Sequence, residues 1–116
     1  MNKEFEEKVN KLSMIEQNSQ YLASQRQNFQ TQLIEIESAL EELDTSSDSY
    51  KIIGNVMVKS DKETLKKELI EKKNIIDVRI KSIEKQEDKI KNDAKELREE
   101  VMKGLEDSKA EKGEKK

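Results

Sequence analysis

YKIIGNVMVKSD, residues 50–61, is the one stretch of this 116-residue chain that does not read as helix. Its two short apolar runs, Tyr50-Lys51-Ile52-Ile53 and Val56-Met57-Val58-Lys59, flank Gly54-Asn55, and glycine accepts the positive φ that a two-residue hairpin turn requires. The predicted β-hairpin pairs 53 with 56, 52 with 57 and 51 with 58. Side chains alternate along a strand, so Ile53, Val56 and Val58 fall on one face and Tyr50, Ile52 and Met57 on the other. Both faces are apolar, and an isolated two-stranded hairpin with two open edges is marginal in water. The hairpin therefore predicts strands supplied by other subunits. The plainer reading, a cap packed on Leu43 and Leu65, needs only one apolar face.

On both sides of this stretch the pattern is helical. From residue 5 to residue 43 there is no Gly or Pro, and apolar residues recur with alternating steps of three and four. One heptad position holds Ile15, Leu22, Phe29, Ile36 and Leu43; its companion holds Phe5, Leu12, Ser19, Arg26, Leu33 and Leu40. The second half repeats the pattern with Leu69, Ile76, Ile83, Ile90 and Leu97, and with Lys73, Ile80, Glu87, Ala94 and Val101. Seven-residue spacing sustained in this way predicts a coiled-coil seam in each helix. Ser60 and Glu63 have the spacing of a capping box, so Ser60-Asp61 is expected to open the second helix rather than to close the strand. Glu63 with Lys67, Glu68 with Lys72, Glu87 with Lys91 and Glu99 with Lys103 are i,i+4 pairs worth about 0.2–0.5 kcal/mol each.

DTSSDS, residues 44–49, offers side chains that compete for backbone hydrogen bonds and should end the first helix. The tail after Leu105 lacks apolar periodicity and is expected to fray. The predicted organisation is an N-terminal coiled-coil helix over 1–44, a linker and β-hairpin over 45–59, a C-terminal coiled-coil helix over 60–107 and a flexible charged tail over 108–116. Two helices of about 40 residues, each about 60 Å long at about 1.5 Å per residue, most simply fold back on each other. The fold class is thus mainly α, an antiparallel two-helix coiled-coil hairpin with one central β-hairpin. Pairing Leu43 with Lys62 at the bend brings together residues whose numbers add to about 105.

Composition narrows the function. Of the residues, 42% are charged and 32% hydrophobic, with two Tyr, two Phe and no Trp, material for coiled coils rather than for a globular core. Without Cys or His, disulfides, thiolate or imidazole metal sites, Cys nucleophiles and Ser-His pairs are all excluded. Carboxylates are abundant but dispersed among lysines, and nothing shapes a pocket around them. Gly54, Gly104 and Gly113 stand alone, so there is no phosphate loop. The expectation is a protein that is not an enzyme and has no cofactor. A net charge of -3 with interspersed signs argues against nucleic acid as the main partner. No run reaches the roughly 18 apolar residues of a membrane span and the N-terminus has no signal-peptide block, so a soluble cytoplasmic protein is expected.

The order of these features resembles the prefoldin beta-subunit family of the archaeal kind. YKIIGNVMVKSDKETL carries the most specific part, the Tyr-Lys, Gly and Val-Lys passage that leads into the second helix. Gln17, Gln20, Gln25, Gln27, Gln30 and Gln32 in the first helix, LEEL at 40–43 and VRIKSIEKQEDKI at 78–90 support it. The resemblance implies hairpins pooled into inter-subunit β-barrels, in a hexamer of two alpha and four beta subunits. It implies coils whose tips hold unfolded proteins without ATP and deliver them to a cytosolic group II chaperonin. Subunit assembly then falls on Tyr50, Ile52, Ile53, Gly54, Val56, Met57 and Val58. Client binding falls on Phe5, Val9, Leu12, Leu97, Val101, Met102 and Leu105. The seam departs from an ideal coil at Ser19, Arg26 and Glu87: either this polar stretch loosens the distal third so that its seam residues can meet clients, or it is one of the polar interruptions that long coils tolerate. The alternative is a structural coiled-coil adaptor or assembly factor for specific folded partners, which would more naturally carry an aromatic or Arg anchor on an outer face.

Overall fold

The computed structural model describes residues 3–114, with side chains as far as Asp107. Helix α1 spans Lys3–Thr45, strand β1 Ser49–Ile53, strand β2 Val56–Ser60 and helix α2 Lys62–Glu114. Two long helices therefore flank an antiparallel β-hairpin, and the molecule is mainly helical. The chain divides into two compact units. One is formed by α1 up to Gln25 and α2 from Ile83; the other is Arg26–Ser82.

In the unit Arg26–Ser82, the hairpin pairs as the sequence predicts, Ile53 with Val56, Ile52 with Met57 and Lys51 with Val58, and the ladder continues to Tyr50 with Lys59 and Ser49 with Ser60. Gly54 has a φ of +61° and Asn55 does not share its sign, which is the pattern of a type II′ turn with glycine at the first central position. The core of this unit is Ile36, Ile76 and Ile80, with Phe29, Leu33, Leu40 and Leu69 packed against it, all from the heptad seams. Lys73, also a seam residue, is half-buried and reaches out to Glu37 at 3.6 Å, while the Arg79 guanidinium sits 5.7 Å from the centroid of the Phe29 ring.

The junctions around the hairpin are polar and satisfied. α1 has no basic residue in its last turn, although the carbonyl end of a helix favours cations. Lysines of α2 take that role: Lys66 Nζ donates to Asp44 Oδ1 at 2.8 Å and Lys62 Nζ to the Ser46 carbonyl at 3.1 Å. The hydrogen bond and charge of Lys66 hold the Asp44 carboxyl below its usual range, and Asp44 in turn raises Lys66. Thr45 donates its hydroxyl back to the Glu42 carbonyl at 3.2 Å, consistent with a helix ending where hydroxyl side chains compete for the backbone.

Two boundaries differ from expectation. Ser60 is the last residue of β2, where its carbonyl accepts a 2.7 Å hydrogen bond from the buried Ser49 hydroxyl, so it does not cap α2. Asp61 does: Oδ2 accepts from the Thr64 N–H at 3.3 Å and the Thr64 hydroxyl at 2.9 Å, and the Asp61 carbonyl accepts from the Leu65 N–H at 3.0 Å. Strand pairing claims Ser60, and a carboxylate next in line suits the positive end of the helix. At its other end α2 runs to Glu114, beyond the end expected at 107. The side chains of the tail expected over 108–116 lie outside the described residues.

In the other unit, Leu22, Ile83, Ala94 and Leu97 are buried and Phe5, Leu12, Ile15, Ile90 and Val101 half-buried, again the seam positions. Arg98 pairs with Glu16 at 3.2 Å and Lys8 with Glu100 at 3.6 Å, opposing numbers that mark antiparallel packing of the two helical segments. The helix register is not the predicted one. Strand partners add to 109, and so do Phe5 and Gly104, against the expected value of about 105. The turn centred between Gly54 and Asn55 sets this number, and anchoring the register on Leu43 and Lys62 places it about one helical turn off.

Candidate functional site

The residues assigned to assembly all lie on the hairpin and share one environment. Tyr50, Ile52, Ile53, Val56, Met57 and Val58 are 44–69% exposed, so neither face of the sheet is covered by the chain's own helices. Among the described residues the sheet has two strands, and each leaves an outer edge without a ladder partner. Its root is fixed by the buried Ser49, and Lys51 is tied to Glu68 of α2 at 3.0 Å and Lys59 to Asp48 at 3.6 Å. The cap reading, with these side chains packed on Leu43 and Leu65, does not describe this arrangement. A sheet with apolar faces, open edges and an anchored root can add strands and bury its faces against others, with only small adjustment of its own backbone.

The residues assigned to client binding lie in the other unit and separate into three environments. Leu97 is buried in the seam; Phe5, Leu12 and Val101 are half-buried; Val9, Met102 and Leu105 are exposed. They are brought to one end of the packed helical segments, from the first three turns of α1 and from α2 after Lys95, but only Val9, Met102 and Leu105 are exposed, at 41%, 58% and 38%. Charged side chains surround them, with Lys95, Arg98, Glu99, Lys103 and Glu106 lining a shallow depression around Met102.

The polar stretch of the seam is visible as a groove. Ser19, Glu87 and the small Ala94 leave it under-filled, and an open cavity of about 540 Å³ lies there, lined also by Ile15, Ile90 and Arg98. Ser19 is exposed although it holds a seam position, whereas Glu87 is half-buried and, like Arg26, takes part in polar interactions.

Two features escape a reading of the sequence by heptads and motifs. Gly104 stands there as an isolated glycine, yet it follows Leu97 by one heptad and so occupies the next seam position, opposite Phe5. Continuing the heptad past Leu97 is the signal that finds it. Ile34, Ile75 and Val78 are exposed apolar residues off the seam, which a search along heptad positions passes over. Among the described residues no group of three or more His, Cys, Asp or Glu could hold a metal ion, and no helix is long and apolar enough to cross a membrane.

Comparison with known proteins places this architecture. The family described as prefoldin subunit matches residues 6–108. The prefoldin subunit beta of Archaeoglobus fulgidus is 40% identical over 86 residues, 72% of this chain and 74% of that protein. That of Methanothrix thermoacetophila is 35% identical over 97 residues, 81% of each. The crystal structure of the prefoldin beta subunit from Thermococcus strain KS-1 superposes with a TM-score of 0.82 at 29% identity, covering 90% of this chain and 94% of that one. Since the match runs through both helices and the hairpin between them, the chain belongs to the prefoldin subunit family, with beta subunits as its relatives.

Proposed function

We propose that this prefoldin-family chaperone subunit acts as an ATP-independent holdase, binding non-native polypeptides at the ends of its helices and delivering them to a group II chaperonin in the cytoplasm. Its hairpin is the assembly element, contributing strands to an inter-subunit β-barrel in a hexamer of two alpha and four beta subunits. One observation carries the reading: a two-stranded sheet with six apolar side chains, each at least 44% exposed, on two faces and between two open edges. Such a sheet is unstable alone and gains burial and hydrogen bonds when strands of other subunits join it.

Client capture follows from what assembly does to weak contacts. Val9, Met102 and Leu105 would each contribute at most about 1.5–3 kcal/mol on full burial, so a single subunit binds weakly. Several subunits on one platform raise the effective concentration of such patches, and a polypeptide held at several points is captured firmly yet released contact by contact. No nucleotide is needed for that cycle. The mixed charges around the patch keep it soluble when empty.

Changing Val9, Met102 and Leu105 together to Ser tests this directly. Their side chains are exposed, so the seam and the hexamer should persist by native mass spectrometry, while suppression of aggregation of a chemically unfolded model protein falls several-fold. Unchanged suppression would reject the assignment of clients to this patch.

A further inference from the structure

Gly104 lies inside α2 with ordinary helical backbone, since the positive φ among the described glycines is at Gly54. Backbone freedom is therefore not what position 104 requires. Room is: a β-carbon built there comes to 2.9 Å from Phe5 Cδ2 and 3.2 Å from Phe5 Cε2, nearer than the roughly 3.5 Å at which carbon atoms make good contact. The Phe5 ring fills the volume that any side chain at 104 would occupy. It is half-buried there, in the first turn of α1, where helix ends open most readily. The adjoining Lys8–Glu100 pair, 3.6 Å apart and partly solvent-exposed, holds that turn only weakly. On either side of the contact Val9, Met102 and Leu105 are already exposed.

We propose that Phe5 seated on Gly104 is a latch on the client-binding surface, with Gly104 as the positioning residue. Closed, it covers most of the Phe5 ring and of the α2 backbone at Gly104 and leaves Val9, Met102 and Leu105 as the open patch. Opened, it adds the aromatic ring and the half-buried Val101 to that patch. An unfolded polypeptide binds the open form more tightly, because it meets more apolar surface there, and so draws the latch open by shifting the population. The inference rests on the client-binding role proposed above.

The test is Gly104→Ala in the complex assembled with its alpha subunit. Alanine is the better helix former, so helix content and assembly are retained while the ring is pushed off its seat. With 4-fluorophenylalanine at position 5, the fluorine resonance should move to its solvent-exposed shift. Capture of reduced, carboxymethylated α-lactalbumin should rise several-fold, and Phe5→Ala should abolish that rise. An unmoved resonance, or capture that stays level or falls, would overturn the latch. Val9→Ser with Leu105→Ser serves as the control. If it lowers capture while Gly104→Ala has no effect, the latch alone fails; if it leaves capture unchanged, the client-binding role fails with it.

Discussion

At the scale of single residues, Gly54 and Gly104 show two different reasons for glycine. A β-carbon on Gly54 would meet nothing within 4 Å, so space is free, but its φ of +61° is one that L side chains avoid. Gly54→Ala should weaken the hairpin by about 1–2 kcal/mol and lower the temperature at which the assembled complex dissociates. D-alanine at the same position should restore it, and a loss that persists with D-alanine would mean the turn is not the cause. Asp61 illustrates a different residue-scale effect. Asp61→Ala should lower stability by about 1 kcal/mol in urea denaturation, with Asp61→Asn retaining most of it, because the acceptor for Thr64 matters more than the charge. Equal loss in both variants would point to the charge at the helix end instead.

At the scale of elements, the heptad seam explains which residues each helix buries. Leu22, Ile36, Ile76, Ile80 and Ile83 are buried where seven-residue spacing puts them, and Lys73 shows that a seam position can hold a lysine if its stem is covered and its ammonium reaches Glu37. Where Ser19 and Ala94 under-fill the seam, fewer apolar contacts oppose local opening. Amide hydrogen exchange in α1 should therefore be faster on the N-terminal side of Ser19 than around Phe29, which packs on the Ile36, Ile76 and Ile80 core. Uniform protection along α1 would rule out the loosening. The strand elements obey the same logic in reverse: period two puts apolar residues on both faces, and a helix-covered sheet would have needed only one.

At the scale of the whole molecule, the apolar hairpin surface that a single chain leaves exposed is what the proposed assembly would bury. Ile52 and Met57 are cross-strand partners on one face, 69% and 64% exposed, and take no part in the buried seam. Ile52→Lys with Met57→Lys should leave the helix content of the isolated chain unchanged by circular dichroism. Mixed with an alpha subunit, the variant should give no hexamer in native mass spectrometry, since two ammonium groups cannot be buried without partners in the proposed barrel interface. A hexamer that forms normally would show that this face of the hairpin is not the joint. Against charges of mixed sign over the helices, apolar surface is exposed on the hairpin, at Val9, Met102 and Leu105, and at Ile34, Ile75 and Val78 off the seam.

Periodicity alone makes most of this legible in the amino-acid sequence. Both helices and the hairpin with its register and turn follow from spacing-three-and-four against spacing-two patterns and from one glycine, because local backbone preference and side-chain alternation are written in neighbouring residues. The rest depends on contacts between residues far apart in the chain. The helix register moves by about one turn once the hairpin turn sets the pairing, Ser60 goes to the strand and leaves Asp61 to cap α2, and the tip residues separate into buried Leu97, half-buried Phe5 and exposed Met102. Apart from the Asp61–Thr64 cap, none of these is a local property. Which side chain a neighbour covers, and that the Phe5 ring takes the space beside Gly104, is decided only when the two helices pack.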